Sequence, residues 1–402
     1  MKVLLIEDYV IKRELVIELL DKKYNHRIKI DTAESLEEAK EKIEINAYDL
    51  YILDLSLKSK DSEASIDYGL ELYDILKYKA KNNLIVYSSV DNIQKIGQEN
   101  LFKEHDIPFL DYTLKENTWK DELLCFIENI ISNNNININD IPYDLAIITA
   151  LADEFEFMKK ASNTIWLEND NDDNFIYYTT RIKNKNNQSL NIVAYTNNLM
   201  GMSNAAAISM KIILKFKPKY LVMTGICAGY KDITEKGDLI IPQYVFNYQE
   251  GDIHENKFVP SYKPKELDYK TNNLINKVAK EYLIDIKNEW ETTYNLGKMP
   301  ANNYKVHLGK QLGTGSAVVK DQKILEDIKG YFQKDIIGLD MEAYSIFIAA
   351  DNSEVNTIPI VIKAVQDFAD AEKDKDYRKF ACYSSARFFF KLCENVLIDK
   401  LS

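Results

Sequence analysis

Through the first third of the chain, short apolar runs alternate with segments of helical period. KVLLI (2–6), YDLYILDL (48–55), LIVYSS (84–89) and PFLDYTL (108–114) are continuous enough in apolar residues to be buried strands. VIKRELVIELLDKKY and SLEEAKEKIEI carry apolar residues at i, i+3 and i+4, the spacing of one helix face. This alternation predicts a parallel sheet covered by helices. SNNNININD (132–140) breaks the pattern; it is polar, Asn-rich and nearly uncharged, as linkers are. Strand-like runs resume at YDLAIITAL (143–151) and continue as SLNIVAYT, YLVMTGICAG, DLIIPQYVF, KQLGTGSAVV, DIIGLDME and IPIVIKAVQDF. Helices are predicted over 203–216 and 342–350, each after a strand and a turn. The expected organisation is one α/β domain over 1–131, a linker over 132–142 and a second α/β domain over 143–402.

A chain of 402 residues is too long for one ordinary core, which agrees with that division. At 46% hydrophobic and 28% charged residues, the composition is that of a globular protein. The net charge of −12 argues against general nucleic-acid binding, which needs a basic surplus. The cysteines (Cys125, Cys227, Cys382, Cys393) are far apart and the histidines (His26, His105, His254, His307) unclustered, so free thiols and no zinc site are expected. The opening MKVLLIEDYV turns acidic too soon for a signal peptide, and no apolar run approaches the roughly 18 residues of a membrane span. A cytoplasmic protein is the expectation.

In an open parallel sheet, functional groups gather at the carboxyl ends of strands. In the N-terminal segment those positions hold Glu7 and Asp8, then Asp54, Ser88 and Lys115. Converging carboxylates repel unless a cation sits among them, and an all-oxygen donor set of Glu7, Asp8 and Asp54 suits Mg²⁺. A hydroxyl and an ammonium beside them suit the oxygens of a transferred phosphoryl group. The ordered motifs IED (6–8), LDL (53–55), YSS (87–89) and YTLK (112–115) resemble the receiver domain of two-component response regulators. The resemblance implies a doubly wound, flavodoxin-like fold with Asp54 as phosphoacceptor. It also implies a switch set of Ser88, Tyr112 and Lys115, and a sensor histidine kinase or phosphotransfer protein as partner. Glu116 follows Lys115 where the family usually has proline.

In the second domain, TALADEFE (149–156), TGICAGYKD (224–232), DMEAYS (340–345) and VQDFAD (365–370) each place polar groups directly after an apolar strand. With EKGDLIIP and GTGSAVV, they resemble the purine nucleoside phosphorylase and methylthioadenosine nucleosidase superfamily. That resemblance implies an α/β domain around a central mixed sheet. It also implies Asp367 as the acid that protonates the leaving purine and Glu154 as the carboxylate that activates water. Glu342 with Met341 would hold the ribose, and Val318 and Val319 would line the base pocket with aromatic help from 244–248. A carboxyl that donates to N7 and accepts from an exocyclic amine selects a 6-aminopurine. The phosphorylases' Gly-Asp-Pro phosphate loop is absent, which favours hydrolysis over phosphorolysis. Asp340, one alternation out of phase in the strand, reads as structural.

The 5′ substituent is the open point. Lys231, Lys320, Lys373, Tyr377 and Arg378 are candidate contacts to a 5′-phosphate, although ADAEKDKDYRKF interleaves acids with its bases. A receiver joined to a nucleosidase resembles the receiver-fused effectors of phage-defence two-component systems, which implies ATP cleaved to adenine and ribose 5-triphosphate under phosphorylation control. The alternatives are a regulated methylthioadenosine/adenosylhomocysteine nucleosidase, a purine nucleoside phosphorylase, or a nucleotide-sensing module without turnover. The superfamily implies a homo-oligomer; no nucleic-acid or membrane partner is expected, and the nucleosidase chemistry needs no cofactor.

Overall fold

The computed structural model describes residues 1–58, 68–88, 102, 105, 107–112, 118–170, 175–183, 188–197, 199–255, 257–279, 281–294, 297–300, 304–332, 335–369 and 377–397. These form two compact units, one of Met1–Ile141 with Lys185–Asn191 and one of Pro142–Asn184 with Ile192–Ser402.

The N-terminal unit carries strands β1 (Lys2–Ile6), β2 (Lys29–Ala33), β3 (Leu50–Leu53), β4 (Leu84–Ser88) and β5 (Phe109–Asp111). They lie in the order β2-β1-β3-β4-β5 with every neighbouring pair parallel, the order of flavodoxin-like doubly wound sheets. Its helices are α1 (Val10–Tyr24), α2 (Leu36–Ile45), α3 (Tyr68–Lys79) and α4 (Thr118–Asn133). Successive strand side chains leave the sheet on opposite faces, and the two cores follow that rule. Leu4, Ile6, Leu53 and Val86 pack with Leu36, Ile43 and Leu72 of α2 and α3. Val3, Leu5, Ile52 and Ile85 pack with Val16, Leu20, Leu123 and Ile127 of α1 and α4. The apolar pattern does not predict β2, KIDTA, because this edge strand alternates lysine and aspartate with its apolar positions.

The C-terminal unit is built on a 12-stranded mixed sheet. Its strands are β6 (Leu145–Thr149), β7 (Leu167–Asn169), β8 (Tyr177–Lys183), β9 (Ser189–Thr196), β10 (Tyr220–Gly229), β11 (Leu239–Ile241) and β12 (Tyr244–Asn247). After an exposed hairpin, β13 (Gly251–His254) with β14 (Lys257–Pro260), come β15 (Lys265–Glu266), β16 (Val306–Leu308), β17 (Gln311–Thr314), β18 (Ile336–Asp340) and β19 (Ile358–Asp367). The run predicted over 238–246 is two strands. Pro242 has no N–H to donate, and the chain changes partners there: β11 pairs with β16 and β19, β12 with β15 and β17. The run predicted over 310–319 stays in the sheet only through Thr314, ahead of the Gly315–Ser316 break.

The helices are α5 (Ala152–Ala161), α6 (Met202–Phe216), α7 (Tyr269–Val278), α8 (Leu283–Thr293), α9 (Gln322–Phe332), α10 (Ala343–Asp351) and α11 (Arg378–Leu392). The two predicted helices match α6 and α10 to within a residue. α11 is buried along nearly its whole length, so its sequence shows no clean apolar face. β10 runs parallel to both β6 and β19, which brings three strand ends to one edge of the sheet. No helix among the described residues is long and apolar enough to cross a membrane.

Candidate active site

The edge formed by β6, β10 and β19 opens into a pocket. Glu154, Met200, Ile226, Tyr248, Val318, Val319, Met341, Glu342, Asp367 and Arg378 are among its lining residues. Of the eighteen residues that line it, seven are expected site residues: Glu154, Val318, Val319, Met341, Glu342, Asp367 and Arg378.

Glu154 sits in the first turn of α5, just after β6, and is 2% exposed. Its Oε2 accepts from the N–H of Ala150 (2.9 Å) and of Leu151 (3.0 Å), and its Oε1 accepts from Ile226 N–H of β10 (3.0 Å). Burial pushes the carboxyl above its ordinary pKa, against the opposing pull of Lys363 and those three N–H groups. Gly225, with φ +152°, makes this approach possible: a Cβ there would lie 2.3 Å from Glu154 Oε1.

Glu342 occupies the N-cap position of α10, yet its side chain makes no capping bond. Oε1 instead accepts from Gly201 N–H, 141 residues away, at 3.0 Å. Burial pushes its carboxyl up to about 7, although Lys363 pulls the other way. Lys363 of β19 is fully buried, with Nζ 3.3 Å from Asp340 Oδ2 and 3.8 Å from Glu342 Oε2. Burial works to neutralise this ammonium, but Asp340, Glu342 and Glu154 outweigh it and raise its pKa. Asp340 accepts from Thr314 Oγ1 (2.8 Å) and from Ala343 N–H (2.9 Å), so it ties β17 to the start of α10.

Asp367 ends β19, half-buried, its Oδ1 accepting from Ala369 N–H at 3.0 Å. The β10–β19 register slips between Cys227 and Ala228, which face Val365 and Asp367 respectively, leaving Gln366 as the bulged residue. Such a bulge re-aims the side chains around it. Tyr248 also lines the pocket, and Gly315 passes so close to it that a Cβ would meet the ring at 2.1 Å.

The basic candidates separate. Arg378 lines the pocket and is held bidentately by Asp153, with Nη2 3.0 Å from Oδ1 and Nε also bonded. Lys231 and Lys320 are exposed and do not line it. Tyr377 is half-buried beneath Lys236 (5.6 Å to the ring centroid) and does not line it either; Lys373 lies outside the described residues. Sequence reading missed Lys363, whose only signal was a charge in the middle of an apolar strand run. It also missed Gly201 and Gln366.

In the N-terminal unit, Glu7, Asp54 and Ser88 are buried at the ends of β1, β3 and β4, with Asp8 and Tyr112 beside them. Lys115 lies outside the described residues. Ser88 Oγ and Tyr112 Oη are buried without a hydrogen-bond partner. An unpredicted ammonium occupies the cluster: Lys12 Nζ lies 3.0 Å from Glu7 Oε2 and 2.8 Å from Asp54 Oδ2. The carboxylates are of the right type for Mg²⁺, but with Lys12 between them they do not fit a divalent ion. Among the described residues no three His, Cys, Asp or Glu side chains are arranged to hold a metal.

Against known proteins, residues 144–398 match the Phosphorylase superfamily. The chain is 26% identical over 382 residues to the uncharacterised protein y4jS of Sinorhizobium fredii, covering 88% of each. It is 27% identical over 195 residues to the ATP nucleosidase Cap17 of Escherichia coli, which covers 46% of this chain and 38% of that one. A 5′-methylthioadenosine/S-adenosylhomocysteine nucleosidase of Bacillus velezensis is 25% identical over 190 residues, 45% of this chain and 70% of the relative.

Proposed function

The chain belongs to the phosphorylase superfamily, and from that premise we propose that its C-terminal unit hydrolyses the N-glycosidic bond of an adenine nucleotide, ATP to adenine and ribose 5-triphosphate. One observation carries the reading: a single pocket gathers Asp367, Glu154 and Glu342 from three separate parts of the fold.

Each carboxyl has a distinct task. Asp367 delivers a proton to N7 of the departing adenine as the C1′–N9 bond breaks. Glu154 has four lone-pair positions, of which backbone N–H groups take three; the fourth accepts a proton from the water that adds to C1′. Glu342 accepts from the ribose hydroxyls and faces the positive charge that develops on the sugar. Lys363 keeps that carboxylate's charge tolerable out of water.

ATP is favoured over a neutral nucleoside because Arg378 is the one Lys or Arg lining the pocket among the described residues, and because of the likeness to Cap17. The chain spans 38% of that relative's length. The rival is a methylthioadenosine or adenosylhomocysteine nucleosidase, supported by the Bacillus velezensis relative and by the apolar Met200 and Met341 in the wall.

An enzyme that destroys ATP needs a switch. We read the N-terminal unit as that switch: a receiver in which phosphorylation of Asp54 by a sensor kinase controls hydrolysis, as in an antiviral effector. Its parallel 2-1-3-4-5 sheet and the strand-end positions of Glu7, Asp54 and Ser88 support this. The test is incubation with ATP, methylthioadenosine and adenosine, with and without a phosphoryl donor, followed by chromatography for free base. Adenine released from ATP is the expected result; no base from any nucleotide or nucleoside overturns the enzymatic reading.

A further inference from the structure

We infer that Lys12 is the resident cation of the N-terminal carboxylate cluster and fills the place a divalent metal ion would take there. Lys12 lies in the first turn of α1 and is 5% exposed. Its ammonium bridges Glu7 Oε2 and Asp54 Oδ2 at 3.0 and 2.8 Å. Two aromatic faces enclose it, with ring centroids at 3.9 Å (Tyr87) and 4.7 Å (Tyr112). Tyr87 Oη donates to the same Glu7 Oε2 at 2.6 Å, which locks that carboxylate toward the lysine.

Lysine is almost never buried unless its charge is met. Here two carboxylates and two π faces meet it, an arrangement that offsets the loss of water. The oxygens engaged are those a divalent ion bridging β1 and β3 would require. Mg²⁺ binds oxygens at about 2.0–2.1 Å and demands a near-octahedral shell. An ammonium in contact with both oxygens excludes that shell, so Lys12 and a metal ion are alternative occupants. Asp8, the remaining acid, has a side chain only 10% exposed and lies 3.8 Å from Lys58 Nζ. One ammonium of the chain itself thus meets two of the cluster's three carboxylates directly. The inference concerns the cation alone and rests neither on nucleotide hydrolysis nor on phosphoryl transfer.

Mn²⁺ is the probe, titrated into the full-length protein and followed by its paramagnetic resonance signal. The wild type is expected to show no saturable site that Asp54→Asn removes. Lys12→Met frees both carboxylates and should gain such a site, at least about tenfold tighter than anything the wild type binds on these residues. Equal affinity in the two proteins overturns the inference, and so does a wild-type site that Asp54→Asn abolishes. If Lys12→Met does not fold, the wild-type melting temperature decides. Millimolar Mg²⁺ should leave it unchanged; a Mg²⁺-dependent rise that Asp54→Asn eliminates overturns the inference.

Discussion

Lys363 Nζ lies 3.8 Å from Glu342 Oε2, with both side chains withdrawn from water. Glu342 lines the pocket and Lys363 does not, so the lysine stands behind the carboxylate that would meet a ribose. Asp340, 3.3 Å from the same ammonium, shares it. Removing one partner of a buried ion pair strands the other charge, at a cost of about 3–5 kcal/mol. Lys363→Met should therefore lower the unfolding free energy by about that amount in a denaturant titration. A loss well under about 1 kcal/mol would mean the acids are neutral, not paired.

Glu342 sets a pH dependence. Its carboxyl, ordinarily near 4.5, is pushed up to about 7 by burial. The folded protein thus holds a proton between those values that the unfolded chain releases. This group's contribution to stability is full below about 4.5 and is lost as pH rises through about 7. Activity runs the opposite way, because only the ionised carboxylate accepts charge-assisted bonds from a sugar. kcat/KM should climb as pH passes about 7, and Glu342→Gln should erase that limb from the low residual rate. Glu342→Ala should abolish cleavage of every ribosyl substrate, whatever its 5′ group. A pH–rate profile for each protein decides.

Gly225 offers a test of the water-activating role proposed for Glu154 without changing the acid itself. An alanine Cβ at 225 would lie 2.3 Å from Glu154 Oε1 and force the carboxylate away from Ile226 N–H. Gly225→Ala should therefore lose activity about as severely as Glu154→Gln, by roughly 10²–10⁴-fold in kcat, the contribution of a positioned general base. Calorimetry with adenine separates this from a collapsed pocket, since base binding should survive. A variant that keeps near-normal kcat would remove Glu154 from the mechanism.

These residues were legible in the sequence to different degrees for a physical reason. Glu154, Asp367, Met341 and Glu342 each stand at or just after a strand end, and the sheet that orders β6, β10, β18 and β19 carries their side chains to one pocket. Lys231 and Lys320 sit in irregular segments, where sequence position says little about direction, and they point to solvent. Partners distant in the chain were invisible: Gly201 meets Glu342 across 141 residues, and Lys12 meets Asp54 across 42. β9 and β10 coincide with the expected runs SLNIVAYT and YLVMTGICAG, whose mainly apolar residues suit buried strands. β2 was missed because its edge position tolerates polar residues, and α11 because burial on all sides removes the helical period.

Arg378 decides the 5′ question. Asp153 engages Nε and one hydrogen of Nη2, which leaves three of the guanidinium's five N–H donors for a ligand. A phosphate chain would use them; a methylthio group or a hydroxyl would not. A hydrogen bond to a charged group contributes about 1.5–3 kcal/mol, roughly ten- to a hundredfold in kcat/KM. Arg378→Gln should thus lower kcat/KM for ATP by roughly that factor while leaving adenosine and methylthioadenosine within about threefold. Asp153→Asn should have the opposite bias, because it releases a fork now committed to a carboxylate and improves charged substrates relative to neutral ones. If both substitutions instead reduce all three substrates equally, the Arg378–Asp153 pair only anchors α11 to α5 at the pocket mouth. Discrimination of the 5′ group would then belong to the apolar wall of Met200 and Met341, which favours a thioether over a triphosphate.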